Sequence, residues 1–461
     1  MSMLQIVNPA TGKLIAEVLE DNAVSIKRKY KLAREAQPAW AAVPLSKKLA
    51  IIAKFREQVV ARNDELAAIL TSEMGKPLQQ AKNELNGLLP RIDFFVDNVR
   101  ASIKPRKVHD ADGMTEVIGH EPLGVIANIS AWNYPYFVGA NVFVPALLTG
   151  NAVLYKPSEF ATRTGLAIAE MLYEAGVPET VFATVIGTGA VGALLLRQPV
   201  DGVFFTGSVA TGKAIAKAVS GRMIKLQLEL GGKDPVYVCD DVDARAAAVG
   251  LADGAMYNTG QSCCSVERIY VHQDAYKAFV DAFVNEVKRF KIGDPTVEGT
   301  YIGPLTRAPQ IDVLDAQVAD AKRKGAKVLV GGRRARDGRL GKGNYYQPTV
   351  LVGVDHSMAV MKDESFGPII GIQSVRDDEE AVRLMNDTSY GLTAGVYTAN
   401  RERAEKLLSQ VRAGSVYWNC CDRVSPRLPW TGVGDSGVGV TLSTYGIETF
   451  TRPKAWHLRS A

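Results

Sequence analysis

The sequence predicts an α/β protein organised around parallel sheets in more than one domain, and three observations carry that expectation. From Pro122 onward, short β-rich runs alternate with helical ones, the pattern of βαβ units. A second stretch of the same kind runs over 234–432. At 461 residues the chain exceeds what one ordinary core accommodates, so two or three domains are expected.

The elements follow in order. From about Asp21 to Ser102 the periodicity is helical, with Ile52, Phe55 and Val59 at i, i+3, i+7 and charges between them. Then come the strand "LGVIANIS", a helix near 136–149, the strand "NAVLYKPS", a helix near 162–175, "FATVIG", a short helix, "GVFFTGS" and another helix. The second stretch opens with "PVYVCD" and a helical "ARAAAVGLADGAMYN". No repeat, low-complexity tract or linker interrupts the chain, so domain boundaries are expected in short loops.

Bulk composition narrows the function classes. With 47% hydrophobic and 22% charged residues, and no apolar run near the roughly 20 residues that span a bilayer, no membrane partner is expected. The start, "MSMLQIVNPATGKLIAEV", lacks a secretory pattern, and five cysteines in an odd set with two adjacent pairs suit a reducing compartment, so a cytoplasmic location is expected. No CxxC spacing points to a zinc site. The net charge of +5 concentrates only in "GGRRARDGRLGKGNYY" (331–346), a Gly-rich segment that reads as a solvated hairpin or loop and not as a nucleic-acid patch.

Two glycine loops compete for a dinucleotide pyrophosphate. "GTGAVG" (187–192) matches GxGxxG after a strand and before a helix. "TGSVATG" (206–212) follows "GVFF" and opens a helix, where Gly207 and Gly212 permit close approach and Ser208 and free N–H groups face an anion. Local chemistry leaves the two open, with an ordinary strand-to-helix turn as the alternative for each.

A thiol is only a few per cent ionised at pH 7, so a nucleophilic cysteine needs a partner or a favourable field. None of the five histidines reads as a Cys–His dyad with the pair in "NTGQSCC" (258–264). Glu229, in an apolar run followed by two glycines, is the carboxylate alternative.

The ordered set "SAWNYP", "NAVLYKPSE", "FTGSVATG", "LELGGKDP", "NTGQSCC", "DESFGP" and "NDTSYGLTAGVYT" closely resembles the aldehyde dehydrogenase superfamily over essentially the whole chain. The resemblance implies the superfamily's fold: a Rossmann-like NAD-binding domain (1–103 and 123–228), an α/β catalytic domain (229–432) and a small β oligomerisation element (104–122 and 433–461). That element combines a ribbon near 104–122 with a strand near 445–458, which implies a homo-oligomer, a dimer or a tetramer with the dimer favoured.

The resemblance also implies roles. Cys263 is the nucleophile of the Gly-Gln-x-Cys motif, with Cys264 its neighbour; Glu229 is the general base; Asn133 and the Cys263 N–H hold the oxyanion. An aldehyde is thus oxidised through a thioester that water hydrolyses. Trp132, Lys156, Ser158, Glu159, Gly207, Ser208, Gly212, Leu230, Glu364 and Phe366 are implied cofactor residues, while the 187–192 loop contributes at most a nearby turn. A carboxylate at Glu159 favours NAD over NADP, with NADP still possible. Tyr134, Tyr136, Phe137, Asn141, Ser262, Cys264, Trp418, Arg427 and Trp430 are implied at the substrate, and no metal is.

Departures from the pattern matter. Many hydrolytic members carry a Lys and a Glu where this chain has Val142 and Thr441, so a water chain or direct solvent access is expected to carry protons from Glu229. Semialdehyde-specific members place an Arg eight residues after the motif Asn; here it is Asn141, leaving Arg423 or Arg427 for a succinate-semialdehyde-like substrate. A Trp at that place, suited to quaternary ammonium substrates, is absent too. Cys264 is expected to pack facing away from Cys263. A catalytically silent scaffold is the rival reading, against which the retention of Asn133, Glu229 and Cys263 together argues.

Overall fold

The computed structural model describes residues 2–336, 338 and 340–460, so Asp337 and Arg339 of the basic Gly-rich segment lie outside the described residues. Two large sheets dominate. The first has six strands in the order Gly437–Val438, Lys225–Glu229, Gly202–Thr206, Val125–Ile129, Ala152–Lys156 and Phe182–Thr184. All its neighbours run parallel except Gly437–Val438, which pairs antiparallel with Leu228 and Glu229. Val125–Ile129 and Ala152–Lys156 are buried along their whole length, as strands covered by helices on both faces must be.

The chain order of this sheet reverses between Val125–Ile129 and Gly202–Thr206. The loops leaving the two strands' carboxyl ends diverge there, opening the crevice in which doubly wound sheets bind ligands.

The second sheet has seven strands, ordered Lys327–Val330, Thr349–Val352, Ile369–Val375, Arg268–His272, Pro235–Val238, Thr393–Tyr397 and Ser415–Trp418, with only the first antiparallel. Leu230 to Asp234 carry the chain between the sheets in five residues.

Four helices, Ala23–Ala42, Leu45–Ala61, Asn63–Met74 and Leu78–Ser102, fill the predicted helical region, and Ile52, Phe55 and Val59 are all buried. Their ends follow local chemistry. Asn22 accepts from the backbone of Val24 and Ser25 in a capping box, and Gly75 ends the third helix in the left-handed region at φ 85°. A hairpin of Met3–Val7 with Leu14–Leu19 precedes them. Strands Arg106–Ala111, Met114–Pro122 and Thr451–Arg459 form a separate antiparallel sheet, the last a largely exposed edge. Within 433–460, Gly437–Val438 joins the six-stranded sheet, Ser443–Glu448 is a helix, and Thr451–Arg459 joins the three-stranded sheet. Among the described residues no helix is long and apolar enough to cross a membrane.

Candidate active site

Glu229 ends a strand of the six-stranded sheet, and Cys263 lies in the loop that enters strand Arg268–His272 of the other. The linker "LGGKD" passes between them. A Cβ on Gly232 would lie 2.9 Å from the Cys263 carbonyl oxygen, and one on Gly231 would lie 2.3 Å from the Glu364 carboxylate. Both contacts exclude a side chain, which accounts for the paired glycines after Glu229.

The loop that carries Cys263 is set by backbone and buried amides. Asn258, Thr259 and Gly260 all adopt left-handed conformations, at φ 54°, 59° and 68°. For Asn and Thr this is costly and persists only where the surroundings fix it. They do: the Asn258 N–H donates to Gln80 Oε1 (2.9 Å), and its side-chain amide donates to the carbonyls of Gln261 (2.9 Å) and Asn133 (3.2 Å). Gln261 Oε1 accepts from the Thr306 N–H at 2.9 Å.

Asn133 is buried just ahead of helix Pro135–Leu148. Its carbonyl accepts from Lys76 Nζ at 2.8 Å, and its amide donates to the Gln261 carbonyl at 3.2 Å. Lys76 forms a fully buried ion pair with Glu84, whose other oxygen accepts from the Tyr136 N–H at 2.9 Å. This pair ties Asn133 to two helices. Among the described residues the Cys263 N–H has no acceptor.

The two cysteines differ sharply. Cys264 does not face away: it borders the same cavity and donates its S–H to Asp422 Oδ1 at 3.0 Å. Hydrogen bonding to Cys263, burial and the Asp422 carboxylate together push its thiol well above the ordinary range, so it stays protonated. Cys263 is half-buried and open on two sides. Burial likewise raises the Asp422 carboxyl to about 7, opposed by its bond from Cys264.

Burial raises the Glu229 carboxyl to about 7, against opposing contributions led by the Thr441 hydroxyl and then the Arg91 guanidinium. Thr441 donates to Glu229 Oε1, and Gln227 donates to the same oxygen at 3.1 Å. Val142, expected from the resemblance to leave the site without a lysine, is buried in the core, and Thr441 contacts Glu229 directly.

Two cavities meet here. One, of about 700 Å³, lies at the sheet's reversal point and is bordered by Trp132, Asn133, Lys156, Ser158, Glu159, Gly207, Ser208, Leu230, Glu364 and Phe366. Gly212 does not border it: a Cβ there would sit 2.4 Å from Leu230, so this glycine lets the helix approach Leu230. Gly189 and Gly192 do border it, so the 187–192 loop is more than a neighbouring turn.

The donor set fits an adenine dinucleotide. Helix Val209–Val219 opens at the cavity with Ser208 as its cap, presenting N–H groups to a pyrophosphate. Leu196, Ala214, Ile215 and Ala218 offer apolar walls for a flat base. Lys156 Nζ is buried, and among the described residues its polar neighbours are the Pro157 carbonyl at 3.1 Å and the Glu159 carboxylate at 4.0 Å, leaving donor capacity for ribose hydroxyls. Glu364 and Phe366 sit on a turn held by Glu267, which accepts from the Ser365 and Phe366 N–H groups and pairs with Lys233. Phe366 stands edge-on to Trp132 at 5.4 Å.

The second cavity, of about 660 Å³, is bordered by Tyr134, Phe137, Asn141, Glu229, Ser262, Cys263, Cys264 and Trp430. Three expected substrate residues are elsewhere. Tyr136 is buried with its hydroxyl on the Leu66 carbonyl, because neighbouring helical positions point about 100° apart and Phe137 takes the cavity face. Trp418 binds the Thr398 carbonyl and lies at the surface, and Arg427 is exposed; neither reaches the cavity, whereas Arg423 does. Residues missed from sequence are Arg91, Asp422, Lys76 and Glu84. Arg91 left a trace, as a charge on the apolar face shared by Leu88, Ile92 and Phe95.

Fold and site together define an α/β oxidoreductase with a dinucleotide crevice and a cysteine where it meets a second cavity. The profile of the aldehyde dehydrogenase family matches residues 2–456, and the chain belongs to that family. It is an NAD(P)-dependent aldehyde dehydrogenase. Similar solved structures include lactaldehyde dehydrogenase from Escherichia coli, 32% identical over 100% of this chain and 96% of that one, with a TM-score of 0.95. An NADP-dependent enzyme from E. coli is 31% identical over 100% and 95%, with a TM-score of 0.96. An indole-3-acetaldehyde dehydrogenase complexed with NAD+ is 30% identical over 99% and 93%, with a TM-score of 0.96.

Proposed function

We propose that the enzyme oxidises an aldehyde to the free carboxylic acid, with Cys263 as acyl carrier and Glu229 as the base that activates water. One observation carries the reading: among the described residues, Cys263 alone borders both cavities. A group on its sulfur therefore faces the nucleotide crevice on one side and Glu229 on the other.

The Cys263 thiolate attacks the aldehyde carbon, forming the C–S bond. The oxygen becomes an alkoxide within reach of the Asn133 amide and the Cys263 N–H, which has no acceptor among the described residues, donors held by the buried network around Lys76 and Asn258. The dinucleotide, when bound, supplies an acceptor for the hydride that leaves that carbon. The resulting thioester is attacked by water whose proton passes to Glu229; the C–S bond breaks and the thiolate returns. A carboxyl raised to about 7 is a stronger base than an ordinary glutamate and is still half ionised at neutral pH.

Glu159 at the cavity wall supports NAD over NADP, since a 2′-phosphate would face a carboxylate. Five free cysteines support a reducing, cytoplasmic setting, and the exposed edge Thr451–Arg459 supports association of copies into a homo-oligomer, a dimer first.

The test is NADH formation with NAD+ and a panel of aliphatic, aromatic and carboxylated aldehydes. Turnover with at least one, lost in Cys263→Ala, is expected. No turnover with any aldehyde would support the silent-scaffold reading instead.

A further inference from the structure

Helix Leu78–Ser102 carries a buried cation whose hydrogen-bonding capacity the protein leaves largely open. Arg91 is 4% exposed and borders the cavity that holds Glu229, Cys263 and Cys264. Its guanidinium lies over the Phe137 ring at 4.0 Å, and among the described residues its one hydrogen bond runs from Nη1 to Asn141 Oδ1 at 3.1 Å. No carboxylate lies within 4 Å of it among the described residues.

A guanidinium has five N–H donors, and burying a cation with one neutral acceptor is costly unless an anion completes the site. The charged groups nearby do not complete it. Glu84 is paired with Lys76, and the Glu229 carboxyl takes its hydrogen bonds from Thr441 and Gln227. Cys264 is held as a thiol on Asp422.

The surroundings hold Arg91 in place for a ligand. Asn141 stands on the facing helix, Pro135–Leu148, where its amide oxygen fixes one arm of the fork. A Cβ on Gly87, one turn before Arg91, would sit 2.8 Å from the Phe137 ring, so glycine there makes room for the ring beneath the cation.

The geometry points to Arg91 as the anchor for a carboxylate on the substrate, so that the enzyme takes short aldehydes bearing a terminal carboxylate, the semialdehydes of dicarboxylic acids. This assignment rests on the aldehyde-oxidation reading above. Bidentate pairing with a planar carboxylate would use the donors that the protein leaves open, and would hold the aldehyde end at Cys263. Neither arginine expected from sequence offers this: Arg427 is outside the cavity and Arg423 is exposed at its mouth.

The experiment compares kcat/KM for malonate, succinate and glutarate semialdehydes with that for propanal, butanal and pentanal, in the parent enzyme and in Arg91→Gln. The parent is expected to favour one carboxylated aldehyde over its neutral counterpart, and Arg91→Gln to lower that ratio by about 100-fold. Should Arg91→Gln fail to fold, Arg91→Lys, which keeps the charge without the fork, is expected to lower it by about tenfold. Binding is read separately: succinate or glutarate should slow alkylation of Cys263 by iodoacetamide in the parent and not in the variant. A parent that shows no preference, or a variant that loses both substrates equally, overturns the assignment and makes Arg91 a support for Cys263 and Glu229. Failure of all aldehydes, with diacid protection intact, would overturn the oxidation reading and leave the anion site standing.

Discussion

The Thr441 hydroxyl donates its hydrogen bond to the Glu229 carboxylate, at a position where the resemblance to hydrolytic aldehyde dehydrogenases leads one to expect an acid. A carboxylate there would repel the base; a hydroxyl stabilises its ionised form. Thr441→Val should therefore raise the Glu229 pKa further and move the rising limb of the pH–rate profile up by about one unit. Initial rates of NADH formation between pH 5.5 and 9 would show it, and an unmoved limb would mean that the hydroxyl does not set the base.

In the parent enzyme, activity limited by deacylation should rise with pH through about 7, because the ionised form of Glu229 is the one that accepts the proton from water. Glu229→Gln removes that acceptor. Stopped-flow should then show a first burst of NADH followed by turnover slower by about 10² to 10⁴-fold. A steady rate equal to the parent's would remove Glu229 from the role.

The cysteines should separate cleanly. Cys263→Ala should reduce oxidation by about 10⁴-fold or more, since the neighbouring Cys264 is held as a thiol on Asp422 and cannot readily take its place. Cys264→Ala loses only a thiol held on Asp422 and should keep activity within about tenfold of the parent. Equal losses would mean that the nucleophile is misassigned.

Cofactor choice should respond to one charge. Glu159→Gln keeps shape and hydrogen-bonding capacity while removing the carboxylate from the crevice wall. The ratio of kcat/KM for NADP+ to that for NAD+ should rise on the order of tenfold. A constant ratio would show that discrimination lies elsewhere.

The pair of Lys76 and Glu84 makes a prediction about stability. Lys76→Met leaves the Glu84 carboxylate buried without its cation and should cost about 3–5 kcal/mol in urea unfolding. Replacing both, as Lys76→Met with Glu84→Leu, should recover much of that stability but not the activity, because the Asn133 carbonyl would lose the shorter of its two hydrogen bonds and keep only that from the Asn258 amide.

The extent to which the sequence foretold this arrangement varied with how local the physics was. Strands such as Val125–Ile129 and Ala152–Lys156 are continuous apolar runs between turn signals, and their boundaries follow from residues within a few positions. Cys263, Glu229 and Asn133, singled out through the resemblance, each border at least one of the two cavities, and the stretches around them are tightly constrained, as Gly232 against Cys263 and Gly231 against Glu364 illustrate. Asp422 was not, since its place beside Cys264 depends on a loop with left-handed turns at Asn419 and at Asp422 itself, 158 residues away in sequence. Tyr136 and Phe137 show the same limit on a smaller scale. Both are aromatic and adjacent, and only the packing of their helix decides which one enters the cavity.

The six-stranded sheet closes in an order unlike that in which the chain is made. Its edge strand Gly437–Val438 lies against Glu229, and Thr441 supplies the hydroxyl that the base accepts from. Both come from a segment that follows Glu229 in the chain, Thr441 by 212 residues, whereas Gln227, the other donor to that carboxyl, lies on its own strand. The surroundings of Glu229 are thus completed by the end of the chain, and a change confined to that late segment can alter the carboxyl without touching the strand that carries it.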